Sequence, residues 1–413
     1  MKFSVLLPTR NRLDLLSYAV ETVRRQDYSD WEIIVSDNFS DENIVGYVRS
    51  LNDHRIKCYR TDKFVPVTEN WNNALSRSNG DYVIMLGDDD CLMQGYFSTL
   101  KKIIEEYDVP DLIFTSAFLY AYPGVMPGFP DGFLRSYSQG KIFRSAREPF
   151  WLGELESREL ACHSVDFRVR FDYNMQFYLV SRKLIDEMGI YGAFYQSPYP
   201  DYYASNAMLL KARRILIVPQ PLVTIGISPK SFGFYYFNNL ESQGNKFLKN
   251  IPDPDMALRL QQVILPGTDM NTSWLLSMET LYQNFGKEKY IKVNYDRYRL
   301  LQICAIYAEL ITGKSSAKSA IHALKSKITL REKIIYGFPL SIVAAMSLVM
   351  PKSYHLFIAR LIKVATGSHP RHYSPKVAGK FRTILDVFEN IKPAPDSIKK
   401  MWITRCLDRI YRR

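Results

Sequence analysis

Short apolar runs of strand length alternate with amphipathic stretches of helical period through the first half of the chain. Phe3–Leu7 is such a run, closed by the polar Pro8-Thr9-Arg10-Asn11, after which Leu13, Leu16, Val20 and Val23 recur at helical spacing. Trp31–Val35 repeats the pattern, ending in Ser36–Asp41 and followed by Ile44, Val45 and Val48. A short strand is predicted at Ile56–Tyr59, a helix at Asn70–Leu75, a strand at Tyr82–Leu86, a helix at Tyr96–Tyr107 and a strand at Leu112–Phe118. Strand and helix in strict alternation predict an α/β fold whose mostly parallel sheet is flanked by helices.

The pattern loosens between Ala121 and Tyr203, where glycine, proline and aromatic residues dominate, as in binding loops. Strands are predicted at Gln176–Val180 and Arg214–Val218, flanking a helix at Tyr202–Ala212 that opens at Pro200-Asp201-Tyr202. Beyond about Tyr236 strand-like runs vanish and helical patterns take over, as at Trp274–Phe285 and Tyr298–Ile311. Ile334–Met350 is uncharged over 17 residues but interrupted by Pro339, which reads as a buried or in-plane helix rather than a membrane span. His355–Val364 mixes Leu356, Ile358, Leu361 and Ile362 with Arg360 and Lys363, a pattern that lies on anionic bilayers or forms an ordinary helix with a solvated basic face.

A length of 413 residues exceeds the usual single domain. The expected division is 1–235, with halves 1–118 and 119–235, followed by a helical region 236–413. Apolar residues at 47% and aromatics at 14% exclude a disordered chain. The net charge of +12 is uneven: residues 314–413 hold 20 Lys or Arg against 5 Asp or Glu, a net of +15, which leaves −3 for the rest. Such a basic appendage implies an anionic partner, membrane or nucleic acid. Five cysteines, widely spaced and without a Cys-x-x-Cys pair, read as reduced thiols of a cytosolic protein without a zinc site, and nothing resembles a signal peptide.

Candidate chemistry centres on Gly87-Asp88-Asp89-Asp90, directly after the apolar Tyr82–Leu86. Three adjacent carboxylates repel one another, so at the exit of a buried strand they call for a cation, and through it for a phosphate-bearing substrate. An Asp-rich turn that caps the next helix is the competing explanation. In α/β sheets ligands bind outside the carboxyl ends of the strands, so the loops at Pro8–Asn11, Asp37–Asp41 and Gly87–Asp90 are expected to line one site.

Three segments in order, Ser4–Arg12, Glu32–Ser40 and Gly80–Asp90, together resemble family 2 glycosyltransferases of the GT-A fold. The resemblance covers about the first 100 residues strongly and the next 120 weakly. It implies an inverting, metal-dependent transfer of a sugar from a nucleotide-diphosphate donor, most often a UDP-sugar, with Mn²⁺ or Mg²⁺ as cofactor. Carried onto this chain, the nucleoside falls to Pro8, Thr9 and Arg10 and to Asp37 with Asn38, the last replacing a second Asp of many relatives. Trp71-Asn72 replaces the family's Arg-Asn pair, leaving Asn72 on the donor side. Gly87 occupies the usual first acidic position, which makes Asp89 and Asp90 the implied metal ligands and Asp88 a donor contact; the alternative register is Asp88-x-Asp90. Asp201 fits the place of the catalytic base, with Asp172 as the other candidate. Lys230, in Gly226–Ser231, falls in a loop that relatives close over the diphosphate, and His163 is a weaker acceptor-side candidate.

The expected activity is therefore addition of a sugar to a glycan or polyprenyl-diphosphate-linked acceptor in surface polysaccharide synthesis. The protein would be peripheral on the inner, cytoplasmic face of the cell membrane, without a nucleic-acid partner. A nucleotidyltransferase would open with a glycine-rich loop, which Pro8–Arg12 lacks. A nucleic-acid-binding protein would use the basic end, Tyr411-Arg412-Arg413 included, although no recognised module is visible.

Overall fold

The computed structural model describes residues 1–137, 141–237, 254–289, 291–314, 317–365 and 381–394. The chain divides into two compact units: Met1–Ala161, Arg170–Asn250 and Ser374–Arg413 form the first, Cys162–Val169 and Ile251–Tyr373 the second. Cys406 and Tyr411–Arg413 lie outside the described residues, and the four other cysteines are free thiols.

The first unit is built on one sheet. Its strands are β1 (Phe3–Thr9), β2 (Trp31–Asp37), β3 (Ile56–Arg60), β4 (Tyr82–Met85), β5 (Cys91–Leu92), β6 (Leu112–Ala121), β7 (Phe133–Tyr137), β8 (Phe150–Leu152), β9 (Tyr178–Ser181) and β10 (Ile215–Ile227). The order is β3-β2-β1-β4-β9-β6-β10-β5, with β7 on β6 and β8 on β10. The alternation read from the sequence gives parallel pairing of β3, β2, β1 and β4, and of β6 with β10. Between these blocks β9 runs antiparallel to both neighbours, so the sheet as a whole is mixed. β1, β2, β4 and β6 are buried almost without exception, as expected of central strands covered on both faces.

Helices α1 (Leu13–Arg24), α2 (Ile44–Ser50), α3 (Val67–Ser76) and α4 (Tyr96–Glu106) alternate with the early strands. They are followed by α5 (Glu154–Val165), α6 (Arg182–Met188), α7 (Pro200–Lys211) and α8 (Phe232–Phe237). Two features aim the sheet at one edge. β10 is far longer than its sequence reading, because a bulge between Val218 and Val223 lets it pass Pro219 and Pro221 and continue to Ile227. β5 pairs with that extension only a few residues beyond the end of β4, so the chain turns through Gly87–Asp90 with β10 directly beside it.

A segment from the far end of the chain completes the first unit. The helix Ile384–Asn390 starts with a reciprocal cap between Thr383 and Asp386. Its Phe388 carbonyl accepts from Gln94 Nε2 at 2.9 Å, and Glu389 pairs with Arg25 at 2.7 Å.

The second unit is helical, with the long helices Asp269–Lys289 and Tyr295–Ile311 followed by Ala317–Lys327, Phe338–Ser347 and Lys352–Ala365. Ile303, Ile306, Tyr307, Leu324, Ile328 and Ala344 form its core. Buried Arg299 ties it together: the guanidinium pairs with Glu332 at 2.6 and 2.8 Å and donates to the carbonyls of Gln262, Val263 and Lys327. Pro339, expected to interrupt the helix, stands just past the π turn Lys333–Gly337, where the regular backbone ladder is already altered, and the helix runs on to Ser347. No helix of the described residues is long and apolar enough to cross a membrane.

Candidate active site

The acidic turn sits at the carboxyl edge of the first unit's sheet, and Asp88, Asp89 and Asp90 are all buried. Each carboxylate has its own partners. Asp88 accepts from Thr9 Oγ1 at 2.7 Å and from Arg12 Nη1 at 2.9 Å, which ties the turn to the loop after β1. Asp89 accepts from Ser228 Oγ at 2.7 Å, tying it to the loop after β10. Asp90 accepts from the backbone N–H of Gly87 and of Gly226, both at 2.8 Å, and from Gln176 Nε2 at 2.6 Å. Arg12 pairs with Asp88 and its charge also acts on Asp89, while Asp90 is held by neutral N–H groups. Burial pushes the Asp89 carboxyl up, with the Arg12 charge opposing and Asp88 adding to the rise; burial and then the charge of Asp89 push Asp90 well above the usual range.

Two glycines make this packing possible. A Cβ on Gly87 would stand 2.5 Å from Asp90 Oδ2, so the space a side chain would take at this position is filled by the Asp90 carboxylate. A Cβ on Gly226 would stand 1.9 Å from the Asp89 carbonyl oxygen, which no rotamer change relieves.

The other sequence candidates distribute as follows. Buried Asp37 pairs with Arg60 at 3.0 Å and caps Ser40 N at 3.0 Å. Asn38 Oδ1 accepts from Val65 N and its Nδ2 donates to Val65 O, both at 2.9 Å, so this amide pins the loop after β3. Arg10 donates to Asn38 O at 3.2 Å and stacks over Phe64 at 4.0 Å, while Pro8 and Thr9 end β1 opposite Ser36 and Asp37. Lys230 Nζ donates to Asn11 O at 2.7 Å, and the Lys230 carbonyl accepts from Arg12, latching the loop after β10 to the loop after β1. Asn72 exchanges hydrogen bonds with the Tyr195 backbone, at 2.8 and 3.1 Å, and so braces the segment leading to α7 rather than the acidic turn.

Asp201 lies in the first turn of α7, directly after Pro200, where its carboxylate accepts from Tyr202 N at 3.1 Å. Burial pushes its carboxyl up to about 7, against the pull of the neighbouring N–H groups. Asp172 is buried beside Tyr178, whose hydroxyl donates to the Asp172 carbonyl at 3.0 Å. His163, on α5, belongs to the second unit.

Sequence reasoning gave no role to Arg12, Gln176, Gly226 or Ser228, which contact the acidic turn directly. The available signals were the arginine closing the Pro8–Arg12 loop and a glycine ending a strand. Gln176 had none, because a segment about 90 residues downstream reaches Asp90 only through the antiparallel insertion of β9.

Buried carboxylates on the strand-end edge of an α/β sheet, fastened to the loops after the first and last long strands, stand where such sheets place their ligand sites. Residues 4–129 match the family model "Glycosyl transferase family 2". Over that stretch the chain is similar to family 2 glycosyltransferases. Over 108 residues the chain is 39% identical to the GalNAc(5)-diNAcBac-PP-undecaprenol beta-1,3-glucosyltransferase of Campylobacter jejuni, covering 25% of this chain and 35% of that protein. It is 34% identical over 127 residues to the putative colanic acid biosynthesis glycosyl transferase WcaA of Escherichia coli, covering 30% and 43%. The match therefore spans well under half of either relative. Among solved structures, S. aureus TarS 1-349 in complex with UDP-GlcNAc is similar at a TM-score of 0.44 and 16% identity, over 83% of this chain and 89% of that one.

Proposed function

We propose that the protein is an inverting glycosyltransferase that moves a sugar from a UDP-sugar to a hydroxyl of a glycan or polyprenyl-diphosphate-linked oligosaccharide, at the inner face of the cell membrane. The observation that carries this reading is the buried acidic turn, latched to Thr9, Arg12 and Ser228 at the strand-end edge of the sheet. The Campylobacter jejuni relative acts, by its name, on an undecaprenol-diphosphate-linked sugar, which supports the acceptor class.

The donor set suits a hard divalent cation. Its atoms are carboxylate oxygens, and the raised Asp89 and Asp90 carboxyls mark a site where positive charge would be stabilising. Among the described residues no three His, Cys, Asp or Glu side chains close around a metal; an ion held here would also take oxygens from a diphosphate. Asp89 would hold Mg²⁺ or Mn²⁺; Asp90, engaged by three N–H groups, would hold the turn instead. When bound, the cation supplies charge neutralisation on the departing diphosphate.

The remaining steps belong to this chain's residues. Pro8, Thr9 and Arg10, with the Asp37–Asn38 loop, form the nucleoside side, and Lys230 stands ready to exchange its Asn11 contact for a phosphate oxygen. Asp201 takes the proton of the attacking acceptor hydroxyl; a carboxylate raised toward neutrality is a stronger base than an ordinary Asp. The hydroxyl oxygen then attacks the anomeric carbon from the face opposite the leaving diphosphate, which inverts the centre.

The test is a panel of UDP-, GDP- and dTDP-sugars screened with Mn²⁺ and Mg²⁺ for thermal shift and hydrolysis. A UDP-sugar should stabilise the protein only with metal, and chelation or Asp89→Ala should abolish the effect. Absence of any metal-dependent shift across the panel would sink the proposal.

A further inference from the structure

From Lys333 to Leu385 the chain carries eight Lys or Arg and no Asp or Glu. Within this acid-free segment, the helices Phe338–Ser347 and Lys352–Ala365 are apolar on two sides. One side is used: Leu340, Val343, Ala344, Ile358 and Ile362 pack on the core around Ile303, Ile306 and Tyr307. The other side is open. Of the 22 exposed large hydrophobic residues among the described ones, 14 lie between Leu330 and Val364.

They are ordered, not scattered. Leu330, Ile334, Phe338, Ile342 and Met346 repeat every fourth residue. In a regular α-helix such a row drifts by about 40° per step. Here the turn Lys333–Gly337 is a π-helix, whose wider turn takes back part of that drift and keeps the row on one side. A second row, Tyr354, Phe357, Leu361 and Val364, follows helical spacing along the next helix. The link between them carries Leu348 and Val349, 84% and 88% exposed. Lys333, Lys352 and Arg360 are exposed on the same segment.

We infer that this face docks on an anionic lipid bilayer, its two apolar rows entering the headgroup layer while the lysines and arginine meet lipid phosphates. Charge chooses the occupant. A second copy would set one acid-free basic segment against another, whereas an anionic bilayer supplies both the apolar medium and the countercharge. The inference deepens the membrane part of the proposed function by naming the surface, and its test is independent of catalysis.

The full-length chain is floated with phosphatidylcholine vesicles, with and without about 30% phosphatidylglycerol, across a salt series. It should bind the anionic vesicles at least ~10-fold better, with salt weakening binding without abolishing it, because the apolar part is unscreened. Leu348→Ser/Val349→Ser should lower affinity by at least ~10-fold at unchanged melting temperature, since neither side chain is packed in the fold. Lys352→Glu/Arg360→Glu should do the same and flatten the salt dependence. Equal binding by parent and variants, or no flotation, overturns the inference. So does a lipid-free dimer in light scattering that the serine variant dissociates. A chain that floats but handles no nucleotide-sugar would sink the transferase reading alone; one that transfers sugar but never floats would sink the docking surface alone.

Discussion

Asp201 combines two properties that pull in opposite directions on pH. Its carboxyl is raised to about 7, so in the folded protein it holds a proton that an unfolded Asp has already lost above about pH 4. Between those values the folded state binds more protons than the unfolded one, and its stability falls as pH rises. Asp201→Asn should remove that slope and stabilise the protein by about 1–3 kcal/mol at pH 7, measured by denaturant titration at pH 5 and pH 7.5. In its proposed role as base Asp201 needs the ionised form, so activity runs the other way: kcat/KM should rise with pH to a plateau, with an apparent pKa near 7. The same variant should lose transfer by at least ~10²-fold while donor affinity stays within a factor of about two, read by single-turnover kinetics and calorimetry. Gly226 is the other decisive residue. Gly226→Ala places a methyl on the Asp89 carbonyl, so it should cost about 1–3 kcal/mol of stability and greatly weaken metal-dependent donor binding. The triple Asp was legible in the sequence as a charge problem; that Gly87 leaves room for the Asp90 carboxylate was not, because the contact closes only when the turn folds back on itself.

At the scale of elements, periodicity identified the early strands and helices because each buries one consistent face or both. β10 was read too short, since Pro219 and Pro221 look like a strand's end, whereas a bulge carries the strand past them to the acidic turn. The return of Ile384–Asn390 to the first unit had no local signature either: a seven-residue helix shows only its cap, and its place rests on Gln94 and Arg25 far away in sequence. In the helical unit, Arg299 links three segments through one guanidinium. Arg299→Met leaves Glu332 and three carbonyls without their donor and should destabilise the protein by about 3–5 kcal/mol. Arg299→Met/Glu332→Leu should recover part of that loss in thermal unfolding, because it removes the stranded charge as well.

For the whole molecule, the charge asymmetry read from composition acquires a location. The first 313 residues are close to neutral, and the basic excess coincides with the exposed apolar rows of the last helices. On the proposed function, holding the protein on a surface that carries a lipid-linked acceptor would raise that acceptor's effective concentration without changing the chemistry. With a lipid-linked acceptor in anionic vesicles, Leu348→Ser/Val349→Ser should therefore lower transfer by about 10-fold, while donor hydrolysis in solution stays at the parent rate. A coupled assay run with and without vesicles reads both numbers.

What the sequence determined alone was whatever depends on neighbours along the chain: the alternation of strands and helices, the acidic turn after β4, the carboxylate opening α7 and the basic character of the end. Tertiary structure decided which groups meet across long separations. It set Gln176 and Gly226 on Asp90 and Ser228 on Asp89, turned Asn38 and Asn72 toward backbone partners, and folded the far C-terminal helix onto the first unit. The physical reason is that periodicity records which face of an element is buried, while the identity of what covers that face is set by sheet order, which no local pattern encodes.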